Sequence, residues 1–233
     1  MNRMMNPEKI ACLMAGSGRS LTYRELDERS NQAAQLFYSL GLRRGDHIAL
    51  CLENHEEFFV ICWAAQRSGL YFTTVSSRLT PPEVEYIVDD CEARVFITSQ
   101  AKRDIAESLA SLCPNLLARY MIEGTTDQYA SWEEAIAQHS KTPLDEQSEG
   151  AAMVYSSGTT GRPKGVKHPL SENPIDSSTP MVEALKLLYG VNEDSIYLSP
   201  APLYHAAPLT WTLACQRLGV TIIVMEQFDA IQS

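Results

Sequence analysis

The chain has 233 residues, 45% of them hydrophobic, and a net charge of −10; it has ample apolar content for a packed core and no basic stripe to track a nucleic-acid backbone. The longest uninterrupted apolar run, residues 58–65, falls far short of the ~20 residues that cross a bilayer, so no transmembrane helix is encoded. Six cysteines without a Cys-x-x-Cys pair, and an N-terminus lacking an apolar signal core, point to a cytoplasmic protein with reduced core thiols.

Near the start, Gly16-Ser17-Gly18-Arg19-Ser20-Leu21 begins like a dinucleotide fingerprint but has Leu21 where the third glycine belongs. A hairpin turn between residues 11–14 and 20–23 explains it better. Thr22 and Glu25 then form a capping box ahead of Leu26, Ala33, Phe37 and Leu40, with Gly41 as the stop, which predicts a helix over 23–40. Residues 47–52 read as a buried strand. Asn54 stands where it would cap a second helix running to Arg67, with Glu56 and Glu57 matching the dipole and Gly69 ending it. Residues 71–75 read as strand. Thr80-Pro81-Pro82-Glu83 repeats the capping box with proline at the first helical position, and 93–98 returns as strand.

A helix near 102–112, a strand near 116–122 and a short helix capped by Ser131 with Glu134 continue the alternation. Apolar strands separated by helices predict an α/β fold of doubly wound, mostly parallel sheets flanked by helices. The polar stretch 139–149, with Pro143, has neither helical nor strand period and reads as a linker. It divides the chain into an N-terminal α/β subdomain, 1–145, and the incomplete start of a second α/β subdomain, 146–233. In that second part, 169–180 is irregular, 181–189 is a helix stopped by Gly190, 194–198 and 220–225 are strands, and Asp229 is placed to cap a further helix.

The segment Met153-Val154-Tyr155-Ser156-Ser157-Gly158-Thr159-Thr160-Gly161-Arg162-Pro163-Lys164-Gly165-Val166 concentrates hydroxyls, glycines and cations behind an apolar strand. It reads as a phosphate cradle. Gly158, Gly161 and Gly165 admit φ > 0 and let backbone N–H groups converge on an anion, serines and threonines add neutral donors, and Pro163 stiffens the turn before Lys164. No Asp or Glu occurs over residues 150–171, whereas Arg162, Lys164 and Lys167 all do. The common P-loop, Gly-x-x-x-x-Gly-Lys-Ser/Thr, is absent, which speaks against a phosphotransferase. His47, His55, His139 and His168 show no metal-ligand spacing, and only His168 lies close enough in sequence to touch the loop.

Residues 156–165 match in type and order, and resemble, the signature loop of the adenylate-forming enzymes. The resemblance implies that a substrate carboxylate displaces pyrophosphate from ATP, with Mg²⁺ sharing the polyphosphate charge, and that the acyl-adenylate is captured by coenzyme A. Ser156, Ser157, Gly158, Thr159, Thr160, Gly161, Lys164 and Gly165 would then hold the nucleotide, with Lys164 as the main cation. Tyr197-Leu198-Ser199-Pro200-Ala201-Pro202-Leu203-Tyr204-His205-Ala206 resembles the family's Pro-Leu/Met-x-His motif, which places His205 beside the carboxylate and the adenylate; taken alone, a histidine before two alanines reads as a helix cap or core residue. Leu21-Thr22-Tyr23-x-Glu25-Leu26 is similar to the family's opening segment.

The wording of the loop and of the His205 segment is most similar to bacterial fatty-acyl-CoA synthetases, implying a fatty acid as substrate. Leu203, Leu209, Trp211 and Leu213 would line an acyl pocket, or equally form core. Complete members continue into a Tyr-Gly-x-Thr-Glu segment, a ribose-binding aspartate, a hinge and a C-terminal domain with the catalytic lysine, none of which occurs here. The resemblance therefore implies an N-terminal fragment that does not finish thioester formation alone, in which oligomerisation stays open. The alternative is a non-catalytic nucleotide-binding or interaction module derived from that family.

Overall fold

The computed structural model describes residues 6–156 and 162–228. Strands β1 (Ile10–Met14) and β2 (Ser20–Thr22) form the expected antiparallel hairpin, turning at Gly18 with φ +73°. Thr22 then caps α1 (Tyr23–Ser39) through the reciprocal bonds with Glu25. The alternation proceeds through β3 (His47–Cys51), α2 (Glu57–Arg67), β4 (Tyr71–Thr74), α3 (Pro81–Asp90) and β5 (Ala93–Ser99). A 3₁₀ turn at Gln100–Lys102 leads into α4 (Arg103–Leu112), β6 (Ala118–Ile122), β7 (Ala130–Ser131) and α5 (Trp132–Ala137). Next come β8 (Ala151–Ala152), β9 (Val154–Ser156), β10 (Lys164–Val166), α6 (Pro180–Tyr189), β11 (Ile196–Ser199), α7 (Ala206–Arg217) and β12 (Thr221–Val224).

Six strands form one wholly parallel sheet in the order β7-β6-β5-β3-β4-β8. Side chains alternate across it. Ile48, Leu50, Val95, Ile97, Tyr120 and Ile122 share a core with α1, α2 and α5, whereas Ala49, Cys51, Phe96 and Met121 pack with α3 and α4. Burial on both faces explains why these strands are apolar throughout. The second sheet, β11-β12-β1-β2, is parallel except for the hairpin, and its inward residues Cys12, Met14, Ile222 and Val224 join the core around α1 and α2. The architecture is mixed α/β with doubly wound parallel sheet between helices.

Asn54 does not cap α2. The helix starts at Glu57 behind Glu56, which is itself in helical conformation and makes no side-chain cap, because the Asn54 amide is used elsewhere. Helix α7 has no clean apolar stripe to betray it: its buried positions are Leu209, Thr212, Leu213, Ala214, Cys215 and Gln216, two of them polar. Both sheets cross residue 145: β8 adds to the first sheet at β4, and β1 pairs with β12. The stretch 139–143 lies along α1, where Asn31, Gln32 and Gln35 donate to its carbonyls. Asp229 lies outside the described residues.

Candidate functional site

The loop is carried by a β-hairpin. Strands β9 and β10 pair antiparallel, with Ser156 opposite Lys164, Tyr155 opposite Gly165 and Val154 opposite Val166. Ser157, Gly158, Thr159, Thr160 and Gly161 lie outside the described residues, so the structure defines the arms of the cradle. The entry arm extends β8, and the Met153 amide donates to the Phe72 carbonyl at 3.0 Å. By this register Ser156 lies past Thr74, the last residue of β4. Loops at the carboxyl ends of parallel strands are where ligands bind in such sheets.

Helix α3 holds both arms. The Tyr86 hydroxyl donates to the Pro163 carbonyl at 3.2 Å, and the Arg162 guanidinium sits 4.9 Å from the Tyr86 ring centre. The Tyr155 hydroxyl donates to the Asp90 carboxylate, and burial together with that acceptor pushes its pKa up, so it remains a donor. Gly165 is not at positive φ, against the expectation from its sequence. It sits instead at a close approach: a Cβ there would stand 2.4 Å from Met153 Cε and 3.0 Å from Tyr155 Cζ.

The three cations of the acid-free window are in different states. Arg162 rests on Tyr86, and the Lys167 ammonium lies 2.8 Å from His47 Nε2. Lys164 is exposed, and its side chain makes no hydrogen bond or ion pair among the described residues. The Asp90 carboxylate beside the entry arm accepts from Tyr155, and no ion pair joins it to Lys164 among the described residues. Among the described residues no group of three His, Cys, Asp or Glu side chains is placed to hold a metal ion.

His205 stands immediately before α7, exposed, in extended conformation and without a side-chain capping bond, its ring 4.5 Å from that of Tyr204. The Tyr204 carbonyl accepts from Thr74 Oγ1 at 2.9 Å, which seats this segment at the same carboxyl end of β4 that the loop leaves. The two expected site segments thus converge on one strand end, while no hydrogen bond joins Lys164 to His205 among the described residues. Leu203, Leu209 and Leu213 are core, at most 5% exposed, and Trp211 packs against Tyr189 and Tyr197. The three leucines pack in the core. His168 is held to the sheet rather than to the loop: its carbonyl accepts from the hydroxyl of Tyr71 on β4 at 2.7 Å. All six cysteines are free and buried; burial pushes the Cys51 thiol to about 12 and those of Cys91, Cys113 and Cys215 to about 11, so none is a nucleophile at neutral pH.

Tyr86, Asp90, His47 and Tyr71 escape sequence reasoning. Each lies in a helix or strand up to 120 positions from its partner, and no local pattern marks them.

The chain is similar along its length to known proteins. The long-chain-fatty-acid–CoA ligase FadD13 of Mycobacterium tuberculosis is 27% identical over 97% of the chain, and the 4-coumarate–CoA ligase 1 of Oryza sativa subsp. japonica is 32% identical over 96%. The chain spans 44% and 42% of their lengths. ATP-bound MatB from Rhodopseudomonas palustris superposes with a TM-score of 0.76 at 26% identity, over 96% of this chain and 43% of that one. A family model described as "AMP-binding enzyme" matches residues 2–233, and with that match along its length the chain belongs to the AMP-binding enzyme family.

Proposed function

We propose that the chain is the nucleotide-gripping portion of an acyl-CoA synthetase, in which ATP activates a carboxylic acid to an acyl-adenylate that coenzyme A then captures. The observation that carries this reading is the exposed Lys164, whose side chain has no partner among the described residues, on a hairpin at the carboxyl end of a parallel sheet, within a stretch free of carboxylates. ATP, with Mg²⁺, supplies a leaving pyrophosphate. Lys164 neutralises phosphate charge and orients the chain of phosphates, and Ser156, Ser157, Gly158, Thr159, Thr160, Gly161 and Gly165 supply donors and close backbone approach. His205, exposed beside Tyr204, offers a donor to the carboxylate. The wording of its motifs favours a fatty acid as the acid substrate.

The test is ATP binding by the chain followed by ATP–pyrophosphate exchange with a panel of fatty and aromatic acids. Exchange with one acid class supports the proposal and names the substrate. Saturable ATP binding without exchange identifies a nucleotide-binding module, and no binding at all refutes both.

A further inference from the structure

Beyond the loop itself, the exit arm of the hairpin ends in a contact that ordinary packing does not require. Lys167 follows β10 directly, and its ammonium lies 2.8 Å from His47 Nε2 and 4.5 Å from the Tyr71 ring centre. His47 and Tyr71 are the paired first residues of β3 and β4, and their rings stack at 4.8 Å with an interplanar angle of 27°. The Tyr71 hydroxyl then holds the next carbonyl, that of His168. These contacts fix residues 167–168 to the first rungs of the six-stranded sheet, three positions downstream of Lys164.

An ammonium has three donors and no acceptor, so His47 Nε2 must offer its lone pair, with the ring proton on Nδ1. His47 is only 5% exposed, and its Nδ1 has no partner among the described residues. A buried, unanswered N–H is costly. The structure nevertheless keeps the ring in the one tautomer that receives Lys167. Burial, followed by the Lys167 charge, pushes the His47 pKa below its ordinary value, against Glu92 and Asp46. Four groups face the ring: Lys167 from the exit arm, Tyr71 from β4, Glu92 from the turn before β5, and Asp46 beside it, already bound to Arg94 and to the Arg43 amide.

We propose that His47 is a positioning residue that, as a neutral ring stacked on Tyr71, holds the Lys167 ammonium and so sets the exit arm of the phosphate hairpin, and that its protonation releases that arm and weakens nucleotide binding. The proposal rests on the nucleotide-binding reading above. The sign follows from the lowered pKa: the contact is complete above the ordinary histidine value of 6.5 and is lost as pH falls through the depressed folded value. Once the ring is charged, Nε2 carries a proton and faces a second cation, and both the bond and the attraction are gone.

ATP affinity of the chain is measured at about pH 7.5 and about pH 5 for wild type, His47→Gln and Lys167→Met, Gln being a non-titrating acceptor. Wild type is expected to lose about tenfold more affinity on acidification than His47→Gln, and Lys167→Met to bind about tenfold more weakly already at neutral pH, because only a fraction of molecules then present a competent loop. Identical pH profiles for wild type and His47→Gln overturn the proposal. Should His47→Gln fail to fold, the exposed Lys167→Met carries the same comparison. Amide exchange of residues 164–166 reads the clamp without nucleotide: protection that falls on acidification in wild type and is already low in Lys167→Met supports it, and protection indifferent to both overturns it. Absence of ATP binding by wild type refutes the proposed function, while the exchange measurement still decides the clamp.

Discussion

Asn54 and Leu203, 149 positions apart, are joined by a hydrogen bond of 2.8 Å from the Leu203 amide to Asn54 Oδ1. The same side chain donates from Nδ2 to the carbonyls of Met225, at 2.8 Å, and Ala201, at 3.3 Å. One buried amide thereby ties the turn after β3 to the segment that bears His205 and to the end of β12.

Asn54→Ala is expected to destabilise the fold by about 2–4 kcal/mol, because it leaves a buried N–H and a carbonyl unanswered. Asn54→Asp should be no milder, since a carboxylate would face two carbonyls. Urea midpoints for the two variants check this.

Lys164→Ala should separate function from stability. The side chain is exposed and unpaired among the described residues, so the melting temperature should hold within about 0.5 kcal/mol of stability. Loss of one such cation should reduce adenylation, or ATP affinity in the chain alone, by about 10²-fold. Equal losses in both readouts would remove Lys164 from the site.

Two glycines should respond differently to alanine. A Cβ at Gly150 would meet the backbone carbonyls of Leu70 and Ala65 at 2.3 and 2.5 Å, which have nowhere to go. At Gly165 it meets the flexible Met153 terminus first. Gly150→Ala should cost about 3 kcal/mol or prevent folding, and Gly165→Ala about 1 kcal/mol, as thermal denaturation would show.

Tyr86→Phe removes the donor to Pro163 while keeping the ring under Arg162. ATP affinity is expected to fall about threefold to tenfold, the scale of one hydrogen bond, and Tyr86→Ala should lose more because the cationic contact goes as well. Isothermal titration with ATP separates the two.

Glu57 is buried, accepts from Trp132 Nε1 at 2.7 Å and is paired with Arg29. Burial is the largest influence and pushes its pKa up despite Arg29 and Trp132. A carboxyl whose folded pKa is raised contributes its stability below the unfolded value of 4.5, and that contribution fades as pH climbs through the folded value. Glu57→Gln should therefore flatten the stability profile above about pH 4.5, followed by denaturant midpoints from mildly acid to neutral pH.

Local signals carried most of the architecture. The boxes at Thr22/Glu25 and Thr80/Glu83, the Ser131 cap and the left-handed Gly190 all stand where the pattern placed them. Asn54 failed as a cap because its carbonyl and amide were claimed by partners far along the chain. Helix α7 went unassigned because its buried face includes the polar Thr212 and Gln216, which break the apolar period. Gly165 is not in the left-handed turn its sequence suggested; a methionine and a tyrosine approach it closely instead.

From its sequence alone, this protein determined its α/β alternation, its caps and the chemical character of its loop, since propensity, capping and charge spacing act over a few residues. Only the tertiary structure decided which cation of that loop has no partner among the described residues, which side chains brace its arms and that the His205 segment is seated at the end of β4. Those outcomes depend on contacts such as Lys167 with His47 and Tyr155 with Asp90, between residues that come within reach only when the sheet has closed on α3.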